Sequence, residues 1–515
     1  MATTVVRPEA GVATDVVAEK RKLKKSLFRW DLAFFTIVAL VGIDTLGQAA
    51  SFGTQTLFWL VFLSVFFLIP YGMIVAELGT RFPVEGAVYE WVRLAYGHLA
   101  GAVTAVVYWI ANPVWLGGSL AALAIGAMDA LWGTRISGNL ALSIIVGLAF
   151  VWVAIAMNIL SLRQMKWVPT LGAIVRGVLL GLFGILALVS VFSGHAKGHI
   201  NGGDLVPTVG IFVGVLGILI FNFVGFEVQS NASEEMGDPR RDVPKSIAWS
   251  WAASLIGYLI PVAGILLLLS SKDISGVAGF QAGYQAAVSS ALGGNGATLL
   301  NWLVGAAIVF SLGAGGVVWL MGSDRAMAIG SLAGSGPRYW GSFSKRFGTP
   351  VRVNVASGVI ASIFLILNFA LTKGDLQSFF KTVLAIVIST TTFSYILVFP
   401  SIVTLRRKYG SGGRGFRIPG GRVGVWTCAV LTEFFIIAAT VFSLWPGICT
   451  SNGCFGADAT AAQGTVARGT WELWTLGAMA FIILVGVAFW ATGRNRQISA
   501  DYELVTAEGQ SILKV

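Results

Sequence analysis

Gly42-Ile43-Asp44-Thr45-Leu46-Gly47 interrupts an apolar stretch with two glycines, a hydroxyl and an acid. Much later in the chain, Phe221-Asn222-Phe223-Val224-Gly225-Phe226-Glu227 does the same. In hydrocarbon each unsatisfied backbone group costs several kcal/mol, so a broken helix is tolerated only where it is buried in protein or lines a cavity. The two breaks fall in the first and sixth of about twelve apolar segments, each near the roughly 20 residues needed to cross a bilayer. Interruptions five segments apart fit an inverted five-plus-five repeat with a binding site near the midplane.

Outward from the breaks, hydropathy predicts helices over 31–53, 56–79, 98–128, 139–160, 167–193, 208–230, 245–270, 299–322, 352–372, 377–404, 423–447 and 471–492, numbered here helix 1 to helix 12. The organisation that follows is a basic tail (1–29), a ten-helix transport core (30–404), two additional transmembrane helices (423–492) and a C-terminal tail (493–515). Residues 1–25 and 497–515 read as poorly ordered. Residues 83–96 are amphipathic and open on Pro83, which predicts a short interfacial helix between helices 2 and 3.

Composition agrees with a membrane protein. Of 515 residues, 56% are hydrophobic and only 11% charged, against roughly a quarter charged in soluble domains. A net charge of +11 invites a nucleic-acid partner, but the placement of the charges argues for a lipid bilayer instead. Of the 35 Lys and Arg residues, Arg135, Lys197, Lys272, Lys373 and Arg468 lie on one predicted side, and Arg176 and Lys381 lie within helices. All the others fall on the opposite side, a bias that predicts both termini in the cytoplasm of a multi-pass plasma-membrane protein. The basic run 20–29 reads as a contact with anionic headgroups. The first apolar stretch is too long for a cleaved signal peptide and stays as helix 1. Cys428 sits in an apolar helix and reads as inert, whereas Cys449 and Cys454 fall on the predicted outer side as a disulfide or as two thiols.

Charges inside the membrane mark functional candidates. Asp44 lies about fourteen residues into helix 1, near mid-bilayer at 1.5 Å per residue. It has either a substrate or coupling role or a hydrogen-bonded packing role. Glu227 is a candidate for gating or coupling. Arg176 cannot lose its proton and needs an anion or several carbonyls, which predicts a structural cation locking helices together. Glu77 reads as an interfacial partner of Arg81, Glu433 as hydrogen-bonded to a neighbour, and Gly313-Ala314-Gly315-Gly316 as close helix packing. His98, His195 and His199 have no metal-ligand spacing. No serine triad, phosphate loop or cofactor motif is visible, so neither a metal, a cofactor nor enzymatic activity is expected.

At these residues the chain resembles the amino acid–polyamine–organocation superfamily of secondary transporters. The resemblance spans nearly the whole membrane domain. It rests on Ala76-Glu77-Leu78-Gly79-Thr80-Arg81-Phe82-Pro83 after helix 2, and on Gly225-Phe226-Glu227 followed by Glu234-Glu235 and Asp238-Pro239-Arg240-Arg241-Asp242-Val243-Pro244-Lys245. Ser323-Asp324-Arg325, Gly348-Thr349-Pro350 and Phe416-Arg417-Ile418-Pro419-Gly420 resemble the family's later cytoplasmic loops, and the string after helix 6 reads as a cytoplasmic turn. The resemblance implies an all-α, leucine-transporter-type fold that moves an amino acid or related amine by alternating access, or a polyamine carrier. It implies substrate contacts at Gly42, Ile43, Asp44 and Thr45 and at Phe221, Val224, Gly225 and Glu227. A substrate carboxylate would meet helix-terminal N–H groups and its amine would meet free carbonyls.

Two departures sharpen this. The family's Gly-Ser-Gly reads Gly42-Ile43-Asp44 here, and a carboxylate at that place repels a substrate carboxylate and attracts an amine. Arg176 stands where sodium-independent members often carry lysine, which implies transport without sodium. A channel would need a continuous polar pore, whereas the charges here cluster at two breaks. The oligomeric state is not legible in the sequence.

Overall fold

The structure, a computed structural model, describes residues 18–23, 27–160, 166–276, 278–292, 294–372, 376–410, 415–444, 448–450, 453–455 and 468–497. Most of the two tails read as poorly ordered lies outside these residues. Among the described residues, 8 helices are long and apolar enough to cross a membrane: Gln55–Arg81, His98–Trp132, Leu140–Ile159, Trp167–Phe192, Pro239–Leu268, Asn295–Ser335, Gly421–Leu444 and Thr475–Arg496. The shorter apolar helices Val209–Phe223, Val351–Leu367 and Val383–Tyr395, and the two halves of helix 1, Arg29–Leu40 and Leu46–Ala50, complete the predicted order. Ile145, Val178, Ile185 and Phe192 on outer faces stay exposed, as hydrocarbon-facing side chains do. After helix 11, strands Ile448–Thr450 and Gly453–Phe455 pair antiparallel and set Cys449 opposite Cys454.

Both predicted breaks exist and lie against each other. Helix 1 stops at Leu40 and resumes at Leu46, and helix 6 stops at Phe223. Thr45 Oγ1 donates to Asn222 Oδ1 at 2.6 Å, tying one break to the end of the other helix. Gly225 has φ +138°, a conformation L side chains rarely adopt, and a Cβ there would lie 3.1 Å from Leu40 Cδ1 and 3.3 Å from the Ala39 backbone. Glycine therefore lets helix 6 turn away in close contact with helix 1.

Several boundaries differ from the expectation. The string after helix 6 is not a turn but the start of helix 7. Asp238 caps that helix by accepting from Arg241 N at 3.3 Å, and Pro239, which has no N–H to lose, occupies the first turn. Ser323-Asp324-Arg325 is not a loop: helix 8 runs from Gly294 to Gly330 and buries all three. Hydropathy ends the helix there because it weighs charge and does not register pairing. A helix over Gly279–Ala291 precedes helix 8; its low hydropathy hides it in the sequence. The helix predicted at 83–96 is present as Ala87–Tyr96, but Ala87 to Ala95 are all buried in protein, so it is packed rather than interfacial. Gly315 stands against Arg176 and Gly316 against Leu116, the close packing expected of that run.

Two residues of the basic N-terminal run, Lys20 and Lys22, also differ, while Lys24 and Lys25 lie outside the described residues. Lys20 is buried and pairs with Glu234 at 2.6 Å, and Lys22 pairs with Glu19 and donates to the Phe343 carbonyl at 3.0 Å, so neither reaches for headgroups. Leu27 bridges to Met236, tying the segment before helix 1 to the one after helix 6. Beside them Arg325 bridges Glu85 (3.1 Å) and Glu235 (2.9 Å), all three buried. Glu77 pairs with Arg406 rather than Arg81, whose guanidinium donates instead to the Tyr409 carbonyl at 2.9 Å.

Burial holds the Glu85 carboxyl well above the ordinary glutamate range; the Glu235 charge adds to this and Arg325 opposes it. Burial raises Glu235 in the same way, again against Arg325. A carboxyl raised in the folded state holds its proton more tightly there. Its stabilising contribution is complete below the ordinary glutamate range and is lost as pH rises through the folded value. Glu85→Gln has the shape of the protonated acid. We expect the melting temperature to rise on acidification from about pH 7 to pH 5 in wild type, and much of that rise to vanish in the variant. A difference between the two proteins that stays constant with pH would remove Glu85 from the titrating groups.

Candidate substrate site

A small cavity lies where the two breaks meet. Gly42, Ile43, Asp44, Phe221 and Arg176 line it, together with Trp115, Tyr258 and Trp319. Its volume is about 20 Å³, room for about one water. Nothing much larger than a water fits there unless the walls move apart.

Asp44 is 4% exposed, and its Oδ2 accepts from Trp115 Nε1 at 3.0 Å. Trp115 ends the first α-helical part of helix 3, just after Pro113, and a π-helical turn over Leu116–Leu120 follows. Proline removes a ladder donor, and π-bulges of this kind recur at functional sites. Gly42 lets the Asp44 carboxylate fold back, since a Cβ there would lie 2.6 Å from Asp44 Oδ1.

The carbonyls before the helix 1 break are already taken. Arg176 donates through Nη1 to Val38 O (2.7 Å) and to Val41 O, and through Nε and Nη2 to Ser311 Oγ (2.8 Å) and O (2.6 Å). Trp319 Nε1 donates to Ala39 O at 3.0 Å, and Tyr258 OH to Leu40 O at 2.7 Å while accepting from Gly42 N at 2.8 Å. The turn before the break therefore offers a substrate amine no free carbonyl, while the carbonyls of Gly42 and Ile43 within the break accept no hydrogen bond among the described residues. Arg176 makes no ion pair with Asp44, which leaves that carboxylate as the charged acceptor lining the cavity.

Thr45 stands at the wall, bonded to Asn222. Val224, Gly225 and Glu227 do not line the cavity. Glu227, fully buried, accepts from Tyr71 OH, Tyr108 OH (3.1 Å) and Tyr395 OH (2.6 Å), and Tyr71 OH accepts from Gly225 N and Phe226 N, both at 2.8 Å. Aromatic rings join the two places: Phe221 to Trp115 at 6.2 Å, Trp115 to Trp319 at 6.4 Å and Trp319 to Tyr108 at 6.4 Å between centroids. Sequence reasoning does not single out Trp115, Tyr258, Trp319 or the three tyrosines around Glu227. Their signal is a polar tip at mid-depth of an apolar segment, which has to find a partner inside the protein.

Comparison with known proteins gives the family and the fold. The family model described as amino acid permease matches residues 27–457. A probable agmatine/putrescine antiporter, AguD, of Lactococcus lactis subsp. lactis (strain IL1403) is 26% identical over 433 residues, covering 83% of this chain and 89% of that protein. The branched-chain amino acid permease BcaP of Bacillus subtilis (strain 168) is 25% identical, covering 81% of this chain and 88% of its own length. A crystal structure of the Eremococcus coleocola manganese transporter, in complex with an aromatic bis-isothiourea substituted compound, superimposes with TM-score 0.52 at 13% identity, covering 96% and 97% of the two chains. That likeness speaks for the fold.

Proposed function

We propose, from the premise that the chain belongs to the amino acid permease family and transports an amino acid or related amine, that its cargo is an organic amine bound through Asp44. The observation that carries this is the Asp44 carboxylate lining the cavity, with the carbonyls of the turn before it, Val38 to Val41, already engaged. A cation of the agmatine or putrescine class, the cargo in the name of one relative, complements such a site. A neutral α-amino acid would bring its own carboxylate towards Asp44.

Hydrogen bonds sort the helices into two sets. Tyr258 ties helix 7 to helix 1, and Tyr71 ties helix 2 to helix 6. Asp324 of helix 8 accepts from Trp109 of helix 3 (3.0 Å), Asn158 of helix 4 (2.8 Å) and Ser357 of helix 9 (2.7 Å). Asp44–Trp115, Ala39–Trp319, Glu227–Tyr108, the Arg176 bonds that join helix 1 to helix 8, and the Arg325–Glu235 pair run between the sets. Alternating access is then a rocking of one set against the other in which these bonds break. Both termini face the cytoplasm of a plasma-membrane protein in this reading, on the strength of the charge bias.

Purified protein in liposomes tests the cargo. Saturable uptake of putrescine or agmatine, accelerated by the same amine inside, is the expected result. Uptake of leucine with no competition by either amine would overturn it. Uptake is also expected to be equal in sodium and choline media, because Arg176 already fills the carbonyl cluster of helices 1 and 8 that a bound cation would use; a large loss in choline would sink this. For orientation, an impermeant thiol reagent after mild reduction should label intact cells at Cys449 and Cys454, since Cys428 is buried. Labelling only of inside-out vesicles would reverse the topology.

A further inference from the structure

Away from the substrate site, the segment Ser401–Tyr409 and the start of helix 11 enclose a second, strongly basic cavity of about 680 Å³. Arg406, Arg407, Arg417 and Arg422 line it, and among the described residues no carboxylate does. The cations around it have different duties. Arg406 grips Glu77 and donates to Gly421 O at 3.1 Å. Lys408 donates to the Leu94 and Ala95 carbonyls at 3.0 and 2.8 Å, at the end of the buried short helix. Arg407 and Arg422 are exposed, and Arg407 lies 5.5 Å from the centroid of the Trp426 ring. Arg407 and Arg422 thus add positive charge beyond the Glu77–Arg406 pair.

This cavity shares Val403, Arg407 and Trp426 with an apolar groove of about 460 Å³. Val430 and Phe434 continue the groove along the outer face of helix 11, each 58% exposed on a surface that faces hydrocarbon. Phe434 lies about 12 Å beyond Trp426 at 1.5 Å per residue. A soluble anion fits the first cavity alone. A molecule with an anionic head and an apolar tail fits both. Glu433 also lines the groove, and its Oε2 is buried without a hydrogen-bond partner, contrary to the expected bond to a neighbour. It lies about 10 Å along the helix from Trp426, away from the arginines.

We propose that this composite cavity binds one anionic phospholipid, its phosphate held between Arg407 and Arg422 and an acyl chain laid along Trp426, Val430 and Phe434. Basic pockets at helix ends are suited to such headgroups, and a guanidinium offers a phosphate paired donors. The inference is independent of which amine is carried.

The test uses purified full-length protein in detergent with phosphatidylglycerol, with phosphatidylcholine of the same chains, or with inorganic phosphate. Phosphatidylglycerol is expected to raise the melting temperature and to be retained in native mass spectrometry; the other two are not. Arg407→Gln/Arg422→Gln leaves the Glu77–Arg406 pair untouched. Each cation near a membrane surface contributes about fivefold, so the double variant should bind phosphatidylglycerol about thirtyfold more weakly. Should the double variant fail to fold, Arg422→Gln alone should show the fivefold loss of about one cation. Equal stabilisation by phosphatidylcholine, an equal response to phosphate alone, or unchanged phosphatidylglycerol retention by the variants overturns the proposal.

Discussion

Replacing Asp44 by asparagine will weaken the binding of an amine substrate by about ten- to a hundredfold while leaving the protein folded, because a charge-assisted hydrogen bond is worth about 1.5–3 kcal/mol. Asparagine keeps the shape, and its amide oxygen still accepts from Trp115, so the wall of the cavity is retained. What disappears is the negative charge. No carbonyl of the preceding turn replaces it, because Val38, Ala39, Leu40 and Val41 are bonded to Arg176, Trp319 and Tyr258. Glu433→Gln, far from the cavity, serves as control and should change affinity much less. The competing account gives Asp44 only a packing role through Trp115. On that account the variant melts earlier, yet the folded fraction binds putrescine as wild type does. Calorimetric titration of the folded variant decides, and unchanged affinity takes Asp44 out of the site.

The position of that carboxylate was legible in the sequence because it violates a strong rule. A glycine-flanked acid within an apolar segment is expensive unless the helix breaks there, and both breaks stand where Gly42-Ile43-Asp44 and Val224-Gly225 predict them. The residues that complete the cavity were hidden for the opposite reason. Trp115, Tyr258 and Trp319 sit in apolar segments and resemble core. Tyr258 and Trp319 donate to backbone carbonyls, which leave no trace in a sequence, and Trp115 donates to Asp44, distant in the chain. Charged residues misled in a related way. Asp324 and Arg325 end helix 8 by hydropathy, yet the helix continues, because Arg325 meets Glu85 and Glu235 from segments far away in the chain. Lys20 reads as a lipid contact until its partner Glu234, likewise distant, is placed. Pairing across the fold decides burial, and one sequence read segment by segment does not contain it.

Arg176→Gln is expected to be the most damaging single change: it should lower the melting temperature strongly and abolish uptake. From helix 5 the guanidinium reaches Val38 and Val41 on helix 1 and Ser311 on helix 8, with 2% of the residue exposed. Helix 1 belongs to one hydrogen-bonded set and helix 8 to the other, so Arg176 is a link across the plane on which the proposed rocking occurs. Removing it leaves the Val38 and Val41 carbonyls buried without a donor. An unsatisfied buried group costs about 1–3 kcal/mol, so the pair costs about 2–6 kcal/mol before any cavity is counted. Arg176→Lys keeps the charge and three donors but lacks the planar fork, and should be intermediate in both readouts. If the guanidinium stands in for a bound cation, sodium chloride should stabilise Arg176→Gln more than choline chloride does and leave wild type unaffected. A variant that melts and transports like wild type would show that water or a neighbouring side chain satisfies those carbonyls, and would remove Arg176 from both the structural and the sodium argument. Loss of stability with no response to sodium would keep its structural role and refute the cation-surrogate role alone.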